Sequence, residues 1–502
     1  MSTLQEAFQV HQSGDLKEAV ARYRAFLGAN PDHAEARHLL GIALMQSETP
    51  AEAIPELEAA VRLRPDNPDC RNNLGLAQFY SDLFQDARAS FERALALNSG
   101  SADALSNLGM TLHKLDDLPG ALARFAASLA IDPDNWETHH NHAGALQAAG
   151  QLDAAAAAFQ WAIELSGGNA ESCASLGAVR IELGDADGAF DAFWQAVKID
   201  PLMWRAHEGF RNFKWAADQK DEMYDTLAWA ADTYPDHPQT HIQYATALVE
   251  DRAFRRAEPV ARRAVETGPD LPDGHAVLGR ALAGLDKFDD AIRAFEAAVG
   301  PDAGWEVFEA FGECLIRAGQ SARAAEVLGR AHDINPRRSE ALGFLTIAMT
   351  EAGDDRVDDF VDYDNDVTAR VIAVPEGYAD IDDFNDQLHA ELAARHTARP
   401  EPIGQTMRGG TQIPGNQFAN PTGAVLALKN TVVDEIAKYA RSLTPDPAHP
   451  FRRFINPDVR FTGAWSTILY GAGYDASHIH NEGWISGVYY IKVPDLPEDV
   501  WE

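Results

Sequence analysis

Near the end of the chain, "YDASHIHNEGWISGVYYIKVPD" (Tyr474 to Asp495) sets two histidines one residue apart, with a glutamate two residues further on. On an extended strand, residues i and i+2 point to the same face. His478 and His480 can therefore aim at one ion, and Glu482 joins them if the strand continues past it rather than turning at Gly483. Paired imidazoles, or an imidazole with a carboxylate, are donors that divalent transition metals take from proteins. A third donor from a distant strand would leave three positions of an octahedral ion open to other ligands. By itself His-x-His fits two histidines at the edge of an ordinary strand equally well, so the residues around it must decide.

Chemistry elsewhere in the chain is sparse. Cys70, Cys173 and Cys314 are far apart and odd in number, so neither a disulfide framework nor a Cys-x-x-Cys metal pair follows. "WETHHNHAG" puts His139 and His142 three apart on one helical face with His140 beside them, a spacing that zinc can use. Without a cysteine or a second histidine-rich helix nearby, the cluster reads as a polar patch facing a groove. The loop "IGQTMRGGTQIPGNQF" lacks the Gly-Lys-Ser/Thr ending of a phosphate loop, so its glycines read as turn-formers. The aspartate-rich "GDDRVDDFVDYDND" lacks the glycine and terminal glutamate of a calcium loop and reads as a solvated linker.

The elements that must position these residues begin with a period. Pro31, Pro65, Pro133, Pro201, Pro235 and Pro269 are separated by 34 or twice 34 residues. Leu40-Gly41, Leu74-Gly75, Leu108-Gly109, Leu176-Gly177 and Leu278-Gly279 keep that register, as do Ala19, Ala53, Ala87, Ala121, Ala155, Ala189, Ala257 and Ala291. A fourth column holds Tyr23, Leu57, Phe91, Phe125, Phe159, Phe193, Leu227, Ala261 and Phe295. Small residues let two antiparallel helices approach, the large residue fills the gap between them, and proline ends the second helix. "SGD", "LDD" and "LGD" mark the turn within each unit.

These units resemble tetratricopeptide repeats over residues 1–353, about ten of them with a final unpaired helix near Ser339 to Gly353. The resemblance implies a mostly α chain, a repeat superhelix with a groove for a protein or peptide partner. The register slips near Pro301 and Pro336.

Beyond Gly353 the period ends. Residues 354–373 read as an acidic linker, and residues 374–502 as a different domain. There, Ile381, Phe384, Leu388 and Leu392 share one helical face, and a second amphipathic helix spans about Ala424 to Ser442. From Phe461 the pattern turns to strands: "RFTGAWSTILY", a "GAG" turn, "SHIH" and "WISGVYYIKV". Helices ahead of an antiparallel sheet predict an α+β or jelly-roll domain.

"GQTMRGGTQ", the later helix and "HIHNEGWISGVYYIKVPD", in that order, resemble the 2-oxoglutarate- and Fe(II)-dependent oxygenase domain found behind tetratricopeptide repeats. That resemblance covers Val374 to Glu502. It implies a double-stranded β-helix, Fe(II) as cofactor, 2-oxoglutarate as co-substrate, hydroxylation of a C–H bond, and His478 with His480 on the metal. In the wider superfamily a carboxylate usually stands two residues after the first histidine, so His480 with Glu482 is the competing pair and Asp475 a further donor. Trp484, Ser486, Tyr489 and Tyr490 are expected to shape the pocket or the core. From Phe461 to Glu502 there is room for about three strands, whereas a jelly roll needs about eight. The distal histidine and the Arg or Lys that would bind 2-oxoglutarate are not found, so the expectation is an incomplete domain, inactive as it stands, whose "GVYYIKV" strand lacks a neighbour. The competing function is a non-enzymatic scaffold built on the repeats.

Composition sets the outer bounds. The 502 residues are 46% hydrophobic and 24% charged, with a formal net charge of −35. Such an acidic surface repels a phosphate backbone, which argues against nucleic acid and favours basic partners or plain solubility. No signal-peptide pattern opens the chain and no long apolar run interrupts it, so a cytoplasmic location away from membranes is expected. No motif specifies a substrate, a groove peptide or an oligomeric state.

Overall fold

A computed structural model describes residues 3–336, 338–362, 368–396, 407–413, 416–447, 449, 452–456, 458–475 and 485–492. The chain divides into two compact units, Met1–Phe213 and Lys214–Glu502, with the division inside the helix Trp204–Ala216.

In the first unit, helices pair in chain order: Leu4–Gln12 with Leu16–Ala29, Ala34–Gln46 with Pro50–Leu63, and Pro68–Phe79 with Phe84–Leu97. Ala102–Lys114 with Leu118–Ile131, Trp136–Ala148 with Leu152–Ser166, and Ala170–Leu183 with Ala186–Ile199 continue the series. The sequence columns are its core. Ala19, Ala53, Ala87, Ala121, Ala155 and Ala189 are wholly buried, as are Tyr23, Leu57, Phe91 and Phe125. At Gly41, Gly75 and Gly109 glycine is required opposite the large residue because the helices are in contact there. A Cβ at Gly75 would meet the Phe91 ring at 2.7 Å, one at Gly109 the Phe125 ring at 2.8 Å, and one at Gly41 the Leu57 side chain at 2.5 Å. Removing each such ring from water contributes roughly 1.5–3 kcal/mol, and the contribution recurs in every repeat.

The turn inside each pair is as regular as its core. Gly14, Glu48, Asp82, Asp116, Gly150 and Gly184, 34 residues apart, all take positive φ. The next residue's N–H then closes back on the first helix, as in Thr49 N to Leu44 O at 3.0 Å and Asp117 N to Leu112 O at 2.9 Å. This is the left-handed closure that satisfies the last helical carbonyls. Asn67, Ser101, Asn135 and Asn169 cap successive first helices by accepting from the N–H three residues on.

The second unit continues the pairing with Pro238–Glu250 and Phe254–Thr267, Pro272–Ala283 and Phe288–Ala298, Trp305–Arg317 and Ser321–Ile334, then the helix Ser339–Ala352. Ala257, Ala291 and Phe295 are wholly buried. Asp218, Arg252 and Asp286 hold the positive-φ position at their turns.

Past the repeats, helix Ile381–Ala393 buries Phe384, Leu388 and Leu392 against Ala424, Val425 and Leu428 of helix Gly423–Ser442. Thr422, at the start of the second helix, makes no side-chain cap. Glu391 supplies it from the first helix: its Oε2 accepts from Ala424 N at 2.8 Å, while Arg395 Nη2 holds Oε1 at 2.5 Å. A two-stranded antiparallel sheet pairs β1 (Met407–Gln412) with β2 (Thr467–Asp475).

Three details differ from the sequence reading. "MRGGTQ" is a strand rather than a glycine turn. "GAG" lies within β2, where the ladder skips from Leu469 to Tyr474 opposite Gly410 and Arg408, because glycines tolerate an irregular register. Residues 486–490 join no ladder among the described residues. Val488 and Tyr490 are each 72% exposed while Tyr489 and Ile491 pack onto the helical core. Thus the mostly helical repeat architecture stands, and a jelly roll is not seen among the described residues.

Candidate functional site

Consecutive first helices of the first unit touch each other and form one layer. Half-buried polar side chains bridge neighbours within it. Asn73 Nδ2 donates to His38 Nε2 at 2.7 Å, Asn107 Nδ2 to Asn72 Oδ1 at 3.0 Å, and Asn141 Nδ2 to Met110 Sδ at 3.2 Å. Asn73, Asn107 and Asn141 are 34 residues apart, so the amides form a row that follows the array. An amide carries two donors and an acceptor, and these bridges leave part of that capacity for a ligand. Burial keeps His38 below the ordinary histidine range, against the pull of Asp69, so it accepts in its neutral form.

The "HHNH" cluster separates into three roles. His139 Nε2 donates to the carbonyl of Pro133 at 2.9 Å. His140 Nδ1 meets Ser172 Oγ at 2.9 Å and packs edge-on to Phe159. His142 lies against the Phe125 ring. Burial first, then a neighbouring Arg205 or His139, depresses His140 and His142 respectively. The three rings serve three different contacts, and no group of three His, Cys, Asp or Glu suited to a metal ion occurs among the described residues.

His139 belongs to a column that the sequence reading overlooked. Six residues after the turn proline, Arg37, Arg71, His139, His207, His241 and His275 each donate to that proline's carbonyl, at 2.7–3.2 Å. Where Ser99 and Gly167 replace the proline, Leu105 and Cys173 replace the donor. That correlated change was the signal available in the sequence.

In the C-terminal part, His396 spans the sheet: Nδ1 meets Thr411 Oγ1 at 2.9 Å and Nε2 meets Ser466 Oγ at 3.1 Å. Desolvation, then His389, lowers its pKa. Tyr489 Oη donates to Asn385 Oδ1 at 2.7 Å, a packing contact in accord with the role expected for this tyrosine. Tyr490 is exposed instead. His478, His480, Glu482 and Trp484 lie outside the described residues, and of Asp475 only the backbone, at the end of β2, is described. Cys70, Cys173 and Cys314 are buried free thiols, with Cys173 and Cys314 pushed up to about 11 by burial. No helix among the described residues is long and apolar enough to cross a membrane.

Tetratricopeptide repeats match residues 12–68, 72–135, 140–203, 242–308 and 276–340, and the 2OG-Fe(II) oxygenase family matches residues 463–500. No curated protein matches the chain. Among solved structures, MamA is similar at 28% identity over 32% of this chain and 94% of its own, with a TM-score of 0.30. PilF of Pseudomonas aeruginosa is similar at 20% identity over 41% and 93%, TM-score 0.36. Yeast Tom70 is similar at 15% identity over 70% and 88%, TM-score 0.37. With its repeats matched over more than half its length and its small-to-large columns buried between paired helices, the chain belongs to the tetratricopeptide repeat family.

Proposed function

We propose that the repeats, residues 1–353, hold a protein or peptide partner against the layer of first helices. The domain beyond the 354–373 linker, residues 374–502, would then serve Fe(II)- and 2-oxoglutarate-dependent hydroxylation of that partner. The observation that carries the reading is one of order: the oxygenase family matches residues 463–500, the stretch that contains His478 and His480, on the C-terminal side of a repeat array matched as far as residue 340. On the array, Asn73, Asn107 and Asn141 suit the main chain of an extended segment, because amides pair with peptide groups whatever the sequence. Exposed Asp69, Asp103 and Glu137 stand one turn before them and favour a basic segment.

The donors expected for iron lie outside the described residues, so their fit is argued from chemistry alone. Two imidazoles at i and i+2 of a strand are a suitable partial ligand set, to which Glu482 or Asp475 adds a carboxylate. When bound, Fe(II) with 2-oxoglutarate supplies O₂-dependent hydroxylation with release of CO₂ and succinate. Fe(II) binding by the full chain, followed by titration under anaerobic conditions, tests the ligand assignment directly. The reading expects binding that is lost in His478→Ala and His480→Ala. Binding that survives both substitutions would overturn the assignment of the ligands.

A scaffold without enzymatic activity is the second reading. It is favoured by extent, since the repeats match most of the chain and the oxygenase family only residues 463–500. Capture of a basic peptide that weakens in Asn73→Ala/Asn107→Ala, with no Fe(II) bound by the full chain, selects it.

A further inference from the structure

Among the described residues, the proline-carbonyl contact that ties the regular repeats together also occurs between distant parts of the chain. After the last helix pair the turn proline is Pro336, and the residue six positions on is Leu342, a buried side chain with no donor. The carbonyl of Pro336 accepts instead from Arg453 Nη2 at 2.8 Å, 117 residues away in sequence. Arg453 sits in the short 3₁₀ turn Arg452–Phe454, which is fixed by its own caps. His449 Nδ1 accepts from Arg452 N at 3.1 Å, and His449 O from Arg453 N at 3.2 Å. Arg452 places Nη2 3.5 Å from Asp362 Oδ2, on the segment that leaves the last repeat helix. His332, on the helix that leads into Pro336, is held low by burial and then by the Arg453 charge, which agrees with the guanidinium lying close by.

We propose that Arg453 anchors the C-terminal part of the chain on the final repeat by filling the place that other repeats fill with their own arginine or histidine. The acceptor is the same turn carbonyl, and the geometry matches Arg37 on Pro31 at 2.7 Å and His275 on Pro269 at 2.8 Å. The final repeat has lost its internal donor, and the segment that precedes the oxygenase-matched stretch supplies one. The anchor rests on this contact and stands whether or not the chain is an enzyme.

Hydrogen exchange on the full chain tests it. In Arg453→Ala, amides in 331–335 and 452–456 are expected to exchange about tenfold faster, the loss of one charge-assisted hydrogen bond. Exchange in 68–131 stays unchanged. Arg453→His, which restores the donor that four repeats use, is expected to recover most of the protection. Protection of both segments in Arg453→Ala equal to that of the parent chain overturns the anchor. So does faster exchange spread evenly into 68–131, or an Arg453→His chain as unprotected as Arg453→Ala.

Discussion

The repeats of residues 4–199 and the segment from Ile381 to Lys492 are both built from amphipathic helices, yet they are held together differently. In the repeats, a large residue repeatedly meets a glycine 16 positions before it, as Phe91 meets Gly75, Phe125 meets Gly109 and Phe193 meets Gly177. Nearly every stabilising contact is made within a repeat or with the next one, as quasi-one-dimensional arrays require. In the C-terminal segment the ties are long: Tyr489 to Asn385 across 104 residues and His396 to Ser466 across 70. One region is stabilised by many copies of a local contact, the other by a few unrepeated distant ones. Local contacts restate themselves along the sequence, whereas distant ones leave no period.

Truncating a core ring in each region should separate these two modes most sharply. Phe125→Ala and Phe384→Ala each remove a wholly buried ring, and each is expected to cost about 3–5 kcal/mol in urea unfolding. In Phe125→Ala, faster hydrogen exchange should stay centred on residues 102–148. In Phe384→Ala it should extend across the whole of 381–442 while residues 4–199 remain protected. Uniform loss through the entire chain in either variant would mean that the two regions unfold as one.

Glu391→Ala tests a distant tie of intermediate size. The carboxylate caps helix Gly423–Ser442 in place of a local cap, so its loss is expected to cost about 1–2 kcal/mol. Exchange at Ala424 and Val425 should rise first. An unchanged melt, with those amides still protected, would show that the capping contact contributes nothing.

Acid should weaken the repeats more than the C-terminal segment. Burial leads in lowering His38, His113, His140 and His142 in the array, against His396 in the C-terminal part. Each has a folded-state pKa below its unfolded value of about 6.5, so the unfolded chain takes up the proton first. Their contribution is complete above that value and is lost as pH falls through the folded values. Thermal melts between pH 7.5 and pH 5.5 should show the first unit losing a few degrees. His140→Gln should flatten the dependence, and a slope that it leaves unaltered would assign the effect to other groups.

The smallest effect lies in the turns. Glu48 holds the positive-φ position that Gly14 and Gly150 hold in other repeats. Glu48→Gly removes the left-handed penalty but loosens the unfolded chain, and a net gain of about 0.5 kcal/mol is expected. A loss in the urea midpoint would show that the Glu48 side chain contributes more than its backbone strain costs.

Much of the repeat region was legible before any coordinates. The alanine column, the leucine–glycine pairs and the large-residue column are buried where the 34-residue period put them. The proline-carbonyl donors were equally legible, since Arg37, Arg71, His139, His207, His241 and His275 keep the same period, but histidines three apart draw the eye to metal chemistry first. The C-terminal part was legible only at its helices. Phe384, Leu388 and Leu392 are buried as their spacing predicts. By contrast, "MRGGTQ" became a strand and "GAG" a skip within one, because ladder pairing rather than residue type decides whether glycines turn.

By itself the sequence determined that this chain repeats a helix pair and which residues fill each gap, because that packing is local and is copied from one repeat to the next. It also placed a pair of candidate metal donors at His478 and His480, on residue chemistry and resemblance. Only the tertiary structure decided that the histidine cluster serves three separate contacts, that Glu391 caps a helix 32 residues away, and that Arg453 reaches Pro336. Such choices depend on which groups the fold brings within hydrogen-bond distance, and linear spacing carries no record of contacts that occur once.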